Sequence, residues 1–286
     1  MFAIVGCGFT GVRVARRLLA RGLPVLATSR HPESLSLPGA RLLKLSMEEP
    51  ATLAALRAAL PAGVRVLHSI PLLRGADGYI DPTPELLAYL PETAARVVYL
   101  STTGVYGAAV EVNEHTPTAP RTERESLRVA AENAVRAGAW SSLVLRPAAI
   151  YGPGRGIHVS MRRGEFLLLG DGSNFVSRIH VEDLAALAEA ALLQDLTGAW
   201  PVADLEPARS RDIAAFCANL LNLPMPASAP PGRLSETRRA NRRVDGRTIC
   251  RLLGVKLRFP TFREGIPQAL AEELSGESGG RTENPG

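Results

Sequence analysis

The N-terminal stretch Phe2-Ala3-Ile4-Val5-Gly6-Cys7-Gly8-Phe9-Thr10-Gly11 decides the fold of this chain. Its first residues form an apolar run typical of a buried strand, and an amphipathic pattern over residues 10–21 predicts a helix directly after it. The glycines between them have the spacing G-x-G-x-x-G, which suits a tight turn, a close approach of phosphate and close packing of helix on strand. A glycine-rich turn without a ligand is the alternative, but the position inside a strand-helix-strand unit favours a dinucleotide site. We predict that its contacts come from Gly6, Gly8, Phe9, Thr10 and Gly11.

Short apolar runs alternate with helical patterns through the first half of the chain. Runs of Val, Leu and Ile with little polar alternation are typical of parallel strands that are covered on both faces. Such runs occupy residues 24–28, 41–45, 64–70, 97–102 and 142–146, and helical patterns lie between them at 51–60, 84–90 and 122–137. This order predicts the α/β class, with a doubly wound parallel sheet of the Rossmann type and a small α+β C-terminal substrate lobe.

The pattern loosens after Arg146, where prolines and glycines indicate a loop region. We predict that residues 1–150 form an NAD(P)-binding domain and that 174–200 return to it, with Asp183 as the N-cap or in the first turn of a helix that ends near residue 193. Residues 151–173 and 201–274 are predicted to form the substrate lobe, with helices over 211–221 and 248–253. Residues 275–286 lack apolar side chains and are predicted to be disordered.

The charge balance argues against a nucleic-acid-binding protein. There are 33 basic and 28 acidic residues, of which only Lys44 and Lys256 are lysines, and the small excess is spread along the whole chain. A nucleic-acid-binding protein would concentrate its basic residues on one face or tail. The arginine-rich run over residues 233–247 is interpreted as a basic rim of the substrate cleft or a solvated face, with nucleic-acid contact as the alternative.

Hydropathy and cysteine content place the protein away from membranes and oxidising compartments. No apolar run reaches the roughly 18 to 20 residues that a membrane-spanning helix needs. The three cysteines, Cys7, Cys217 and Cys250, are widely spaced, fit no metal-ligand pattern and cannot all pair with one another. We therefore expect no membrane association, no metal site and a cytoplasmic location.

The end of the second predicted strand bears on the choice of cofactor. An NAD-binding protein commonly carries Asp or Glu there to accept hydrogen bonds from the ribose 2′-hydroxyl. This chain has Ser29 and Arg30 instead, and a guanidinium beside a hydroxyl suits a 2′-phosphate. The alternative is that Arg30 is one more solvated arginine. NADP is predicted in preference to NAD.

Three further stretches resemble motifs of one enzyme superfamily. Residues 100–107 read L-S-T-T-G-V-Y-G, residues 145–154 read L-R-P-A-A-I-Y-G-P-G, and residues 178–185 read R-I-H-V-E-D-L-A. Together with the glycine loop, in this order, they resemble the extended short-chain dehydrogenases/reductases, the NAD(P)-dependent epimerase and dehydratase type. The resemblance covers about residues 1–200.

The resemblance implies further contacts beyond the glycine loop. In addition to Ser29 and Arg30, it implies cofactor contacts from Ile70, Pro71, Ser101, Arg128 and Pro147, and substrate contacts from Arg155 and Arg178. It also implies that Thr102 is the hydroxyl residue that orients the substrate. Relatives often dimerise through the helices after the fourth and fifth strands, so a homodimer is expected by analogy.

The signature Tyr-x-x-x-Lys of that superfamily is missing from this sequence. Counting back from Glu132 puts Arg124 at the tyrosine position and Arg128 at the lysine position, and no tyrosine has a lysine four residues on. An arginine keeps its proton near neutral pH, so Arg124 cannot act as the acid. Tyr106 and Tyr151 follow strands whose ends should face the cleft, and they are candidates for the missing acid, with a packing role as the alternative.

Two functions follow from these residues. The first is an NADP(H)-binding oxidoreductase of epimerase or dehydratase type that acts on a small anionic or sugar-derived substrate without the usual Tyr/Lys pair. Its candidate catalytic residues are Thr102, Tyr106, Tyr151 and Arg128. The second is a catalytically silent NADP(H)-binding regulatory or scaffold protein. The sequence favours the oxidoreductase, and the silent binder is the alternative.

Overall fold

The fold is described by a computed structural model that covers residues 1–76, 78–234 and 239–279. Arg238 of the basic run and residues 280–286 of the predicted tail lie outside these ranges. Residues 275–279, which were predicted to be disordered, belong to the last helix, so the prediction is wrong for them.

Seven parallel strands form the central sheet, and the order β7-β6-β5-β4-β1-β2-β3 is that of a doubly wound sheet. The strands are β1 Phe2–Val5, β2 Val25–Ser29, β3 Arg41–Lys44, β4 Arg65–His68, β5 Arg96–Leu100, β6 Ser141–Pro147 and β7 Gly198–Val202. The first six confirm the predicted fold class. The seventh, β7, was not predicted because it contains Pro201, and a proline is tolerated there because β7 is an edge strand.

Helices cover both faces of the sheet. They are α1 Gly11–Ala20, α2 Pro50–Ala59, α3 Thr83–Ala88, α4 Glu123–Ala137, α5 Ile157–Arg162, α6 Val181–Leu193, α7 Ser210–Leu221, α8 Arg247–Leu253 and α9 Phe262–Gly279. Because side chains alternate along a strand, Ile4 of β1 packs with α1 and α6, whereas Ala3 and Val5 pack with α2, α3 and α4. Among the helices described, none is long and apolar enough to cross a membrane.

The remaining segments form a second, smaller core. Five pairs of two- or three-residue strands lie outside the sheet: Leu73–Arg74 with Tyr79–Ile80, Glu111–Val112 with Arg243–Val244, Ala149–Tyr151 with Arg178–His180, Leu168–Leu169 with Ser228–Ala229, and Phe175–Val176 with Ala208–Arg209. α5, α7 and α9 enclose a cluster that includes Tyr151, Ile213 and Phe262. α9 was missed from the sequence because Gly265 and Pro267 lie within it, and both residues disfavour helix interiors.

Asp183 connects the sheet to the C-terminal segment. It lies in the first turn of α6, and His180 is the N-cap because its ring Nδ1 accepts from the Glu182 amide. The Asp183 carboxylate accepts from the amides of Arg258 at 2.7 Å and Phe259 at 2.9 Å. This contact holds the chain that leads into α9 against α6.

Gly246→Ala tests the packing of α8 on the end of β7. A Cβ at Gly246 would lie 2.5 Å from the Ala203 amide nitrogen, so either α8 or the chain after β7 must shift. We expect the free energy of unfolding in urea to fall by about 1–3 kcal/mol. Gly232→Ala is the matched control, because within the described ranges no heavy atom lies within 4 Å of its added Cβ. Equal stability of the two variants would contradict this packing.

Candidate functional site

A cleft of about 1040 Å³ runs along the carboxyl ends of the central strands, which is where open α/β sheets bind ligands. Most of the site residues that were predicted from the sequence line this cleft. They are Gly6, Gly8, Phe9, Thr10, Ser29, Arg30, Ile70, Pro71, Ser101, Thr102, Arg128, Pro147 and Arg155. The predicted site residues that do not line the cleft are Gly11, Tyr106, Tyr151 and Arg178.

The glycine loop is fixed from both sides. Gly6 has φ +87°, and a Cβ on it would lie 2.9 Å from the Ile70 amide nitrogen after β4. On the other side, the Gly6 amide donates to Thr28 Oγ1 at 3.1 Å. Gly11 lies under the loop, where a Cβ would be 3.0 Å from the Gly6 carbonyl oxygen. Two of the three glycines therefore serve the packing of the loop.

The third glycine and the start of α1 fit the pyrophosphate of a dinucleotide. Within the described residues, no heavy atom lies within 4 Å of a Cβ placed on Gly8, so the backbone is open to a ligand there. The amides of Phe9 and Thr10 donate no hydrogen bond to any described residue. The first turn of α1 carries no acidic residue. Free amides at the positive end of a helix form a phosphate-binding site.

Ser29 and Arg30 lie at the end of β2 beside this loop. The Ser29 hydroxyl accepts from the His31 amide at 3.1 Å. Arg30 is exposed, lines the cleft and makes no ion pair or hydrogen bond with any residue that the structure describes. Its guanidinium is therefore free to bind an anion.

Thr102 lies at the opposite side of the cleft, after β5. Its Oγ1 accepts from the Gly104 amide at 3.1 Å and caps the short 3-10 turn Thr103–Tyr106. Because that bond uses Oγ1 as an acceptor, the hydroxyl hydrogen is available to a ligand.

Tyr106 and Tyr151 do not reach the cleft, so the structure does not support either as the missing acid. Tyr106 is 1% exposed because the 3-10 turn directs it inward, and its hydroxyl accepts from Arg146 Nη1 at 3.2 Å. Tyr151 is 5% exposed and packs edge-on against His180 and close to Gly265 of α9. Burial raises the pKa of both phenols above the ordinary value.

Arg178, predicted as a substrate contact, is also turned away from the cleft. It is 4% exposed and its guanidinium lies 5.3 Å from the centre of the Phe262 ring, inside the second core. Burial lowers its pKa below the ordinary value. Arg155, the other predicted substrate contact, remains at the cleft, 5.4 Å above the Phe9 ring.

A buried ionic chain that the sequence reading missed supports the floor of the cleft. Glu132 of α4 accepts from Ser101 Oγ at 2.5 Å and from Arg146 Nη2 at 2.6 Å. Arg146 continues the chain to Tyr106. The sequence signal that could have revealed this chain is a pair of opposite charges, Glu132 and Arg146, in two segments that are otherwise predicted to be largely buried.

Arg242 belongs to the arginine run that was interpreted as a rim of the cleft, and it lines the cleft, but the sequence did not predict its contacts. Its guanidinium donates to the carbonyl oxygens of Ala109 at 3.1 Å, Thr103 at 2.6 Å and Gly107. These hydrogen bonds stabilise the turn that follows Thr102. No local pattern indicates this contact, because the partners lie more than 100 residues apart in sequence.

Arg124 and Arg128 of α4 both line the cleft. Arg128 is 9% exposed, and its Nη1 donates to the Tyr99 hydroxyl at 2.6 Å. Its Nε has no hydrogen-bond partner among the described residues. Arg124 is half-buried, with its guanidinium 6.0 Å from the centre of the Tyr79 ring. Neither guanidinium pairs with a carboxylate in the described ranges.

Comparison with known proteins gives a consistent family and fold. The sequence model of the NAD dependent epimerase/dehydratase family matches residues 3–200. A functionally unknown conserved protein from Silicibacter pomeroyi is 31% identical, with a TM-score of 0.77 over 95% of this chain and 98% of that one. No curated protein matches the sequence.

Two solved structures of lower identity share the fold. MoeE5 in complex with UDP-glucose and NAD is 21% identical, with a TM-score of 0.80 over 96% of this chain and 99% of that one. The Bordetella bronchiseptica enzyme WbmG in complex with NAD and UDP is 18% identical, with a TM-score of 0.78 over 96% and 94% of the two chains.

His68, at the end of β4, has a depressed pKa that makes stability depend on pH. Burial, helped by the charge of Arg128, lowers its pKa from 6.5 to about 3. Between these values the unfolded chain binds a proton that the folded chain does not, so stability falls as the pH falls below 6.5.

When the pH is lowered from about 7 to about 5, we expect the wild-type protein to lose about 2 kcal/mol more of its unfolding free energy than His68→Gln loses. Urea denaturation at the two pH values measures it, and His115→Gln, at an exposed position, controls for the loss of an imidazole. An unchanged pH dependence in His68→Gln would show that His68 is not the group responsible.

Proposed function

Because the chain belongs to the NAD dependent epimerase/dehydratase family, we propose that it is an NADP(H)-dependent oxidoreductase of epimerase or dehydratase type. The observation that carries this proposal is the cleft, which joins an open phosphate loop at Gly8 to a hydroxyl at Thr102. The complexes of MoeE5 with UDP-glucose and NAD, and of WbmG with NAD and UDP, support a cleft that holds a dinucleotide together with a second ligand.

The cofactor preference rests on the end of β2. Ser29 and Arg30 offer a hydroxyl and a free guanidinium where a carboxylate would favour the 2′-hydroxyl of NAD. A fork of N–H donors matches a 2′-phosphate, so NADP is proposed over NAD. When bound, the nicotinamide supplies the hydride acceptor or donor.

The chain's own residues bind and orient the reacting groups. The Thr102 hydroxyl donates to the substrate oxygen, and Arg242 and the Gly104 amide hold the turn that carries it. Arg128, fixed by Tyr99, faces the nicotinamide end of the cleft, as its position in the family pattern implies. None of the described tyrosines lines the cleft, so in this proposal water supplies or takes up the proton, and Thr102 only hydrogen-bonds the reacting oxygen. The proposed substrate is a small anionic or sugar-derived molecule, because the cleft is rich in unpaired arginines.

A catalytically silent NADP(H)-binding protein is the second candidate. The observation that favours it is the same arrangement of side chains: Arg124 and Arg128 stand where the family pattern has its proton donor and lysine, and Tyr106 and Tyr151 are turned inward. Such a protein would bind cofactor and show no turnover.

The setting of the protein is also a proposal. Cys7, Cys217 and Cys250 are unpaired, which suits a reducing cytoplasm. A homodimer through α3 and α4, the helices after β4 and β5, stays a prediction by analogy.

Titration with NADPH and NADH tests the cofactor site. We expect NADPH to bind more tightly by about tenfold or more, since a hydrogen bond to a charged group is worth that much. Arg30→Ala should remove this difference by weakening NADPH alone, and Gly8→Val should weaken both cofactors. Arg136→Ala, an exposed arginine at the end of α4, is the control. Equal affinities for wild-type protein would refute the 2′-phosphate site, and no affinity for either would refute the function.

Turnover is tested by NADPH oxidation with keto sugars and small anionic ketones and aldehydes. Thr102→Val should lower kcat about 100-fold or more, the usual effect of losing one donor to a developing oxyanion. Thr102→Ser keeps the hydroxyl and should retain most activity. Wild-type protein that binds NADPH, stays at background over this panel and also fails to epimerise or dehydrate sugar-derived substrates, reactions that return the cofactor unchanged, would favour the silent binder.

A further inference from the structure

We propose that Arg124 and Arg128 form a binding site for an oxyanion of the substrate, a carboxylate or phosphate group carried next to the carbon that reacts. This inference rests on the proposed function and adds to it the chemistry of the substrate. The two residues are called the arginine pair below.

The arginine pair is held in a fixed position relative to Thr102. Residues four apart lie on the same face of a helix, so both side chains extend from α4 into the cleft. The start of α4 is fixed by a capping box, in which Thr122 Oγ1 accepts from the Glu125 amide and Glu125 accepts from the Thr122 amide. Ser101 and Thr102 lie at the end of β5 on the same cleft.

The buried member of the arginine pair lacks a counter-ion. Arg128 is 9% exposed, yet its only hydrogen bond within the described ranges is to the neutral Tyr99 hydroxyl, and its Nε has no partner. A buried charge without a partner is costly. A ligand oxyanion in the cleft would supply both the missing charge and the missing acceptor.

The acidic residues of α4 near the arginine pair are committed to other contacts. Glu125 accepts from the amides of Arg121 and Thr122. Glu132 accepts from Ser101 and Arg146. Neither carboxylate forms an ion pair with Arg124 or Arg128 among the described residues, and Glu132 pairs with Arg146 instead.

The charge of the whole cleft favours an anion. Its lining includes the arginine pair and Arg30, Arg121, Arg155, Arg239 and Arg242, against only Glu48 and Glu125 among the described lining residues. Arg30 lies at the glycine-loop side, beside the proposed 2′-phosphate. The arginine pair lies on α4, which approaches the turn after Thr102: a Cβ on Gly104 would lie 3.9 Å from Glu125 Cγ. The pair is therefore placed to bind the substrate rather than the adenosine end of the cofactor.

The chemistry of the guanidinium identifies the kind of ligand. Its planar fork of N–H groups matches two oxygens of a carboxylate or phosphate, which a single ammonium group cannot do. A neutral sugar hydroxyl would leave the charge of Arg128 uncompensated. The site therefore selects substrates with an oxyanion close to the reacting carbon.

Calorimetric titration of the NADPH-saturated protein with oxalate and with inorganic phosphate, at constant ionic strength, tests the site. Saturation with NADPH fills the glycine loop and the Arg30 site, so a remaining anion site is seen alone. We expect one of the two probes to bind. Tighter oxalate binding identifies a carboxylate and tighter phosphate binding a phosphate.

Arg124→Gln and Arg128→Gln should each weaken that binding about tenfold or more, the loss expected for a hydrogen bond to a charged group. Arg136→Gln, at the exposed end of the same helix, is the matched control and should keep the wild-type affinity. Because Arg128 is buried, Arg124→Gln keeps the test decisive if Arg128→Gln does not fold. Circular dichroism and urea denaturation of each variant report its folding.

The failures of the two proposals are distinguishable. Binding of NADPH without binding of either probe, or probe binding that survives Arg124→Gln, would overturn the oxyanion site and leave the proposed function intact. Failure of the wild-type protein to bind NADPH would overturn the proposed function. In that case, the same oxalate and phosphate titrations on the cofactor-free Gly8→Val variant would still decide whether the arginine pair binds an anion.

Discussion

The contact of Gly6 with the ends of two neighbouring strands is the constraint on which the site depends. Its amide bonds to Thr28 at the end of β2, and its missing Cβ leaves room for the chain after β4 at Ile70. Gly11 extends this packing by bringing α1 to within van der Waals distance of the same loop. With these strand ends joined, Gly8 and the free amides at the start of α1 open into a single cleft. A side chain at Gly6 would separate the strand ends, and the phosphate loop, the cofactor pocket and the approach to Thr102 would move apart.

The sequence predicts the regular part of the fold because hydrophobic periodicity is a local property. Six strands and most helices of the doubly wound sheet lie close to their predicted places, whereas β7 and α9 were missed because proline interrupts the pattern. The predicted residues line the cleft where the backbone decides their position, as in the glycine loop. The prediction that Tyr106 and Tyr151 face the cleft is wrong. The end of a strand can be located from the sequence, but the direction of a side chain in the following turn cannot. The bond from Arg242 to the turn after Thr102 depends on the assembled fold and leaves no local trace.

Two sets of arginines in this chain differ in their partners. Arg96 and Arg242 are structural, because each spreads several N–H donors over acceptors from separate segments. The Arg96 guanidinium donates to the carbonyl oxygen of Ala191 in the last turn of α6, to the Ser141 hydroxyl at the start of β6 and to the carbonyl oxygen of Leu196 before β7. A lysine ammonium has no planar fork with which to span these acceptors. Arg30, Arg124 and Arg155 form the second group, which faces the cleft without carboxylate partners in the described residues.

In the alignment proposed from the sequence, Arg124 and Arg128 take the places of the family's tyrosine and lysine, which would change what this part of the cleft can do. A tyrosine can give up and regain its proton, whereas a guanidinium keeps its proton and contributes fixed charge. The polar chain from Ser101 through Glu132 and Arg146 to Tyr106 is closed by its own hydrogen bonds, and it leads into the protein rather than to the cofactor. Thr102 lies on the same cleft, and its hydroxyl hydrogen is free because its Oγ1 accepts from the Gly104 amide. The geometry separates two tasks that one tyrosine would combine: the arginines provide charge, and the threonine provides the hydrogen bond.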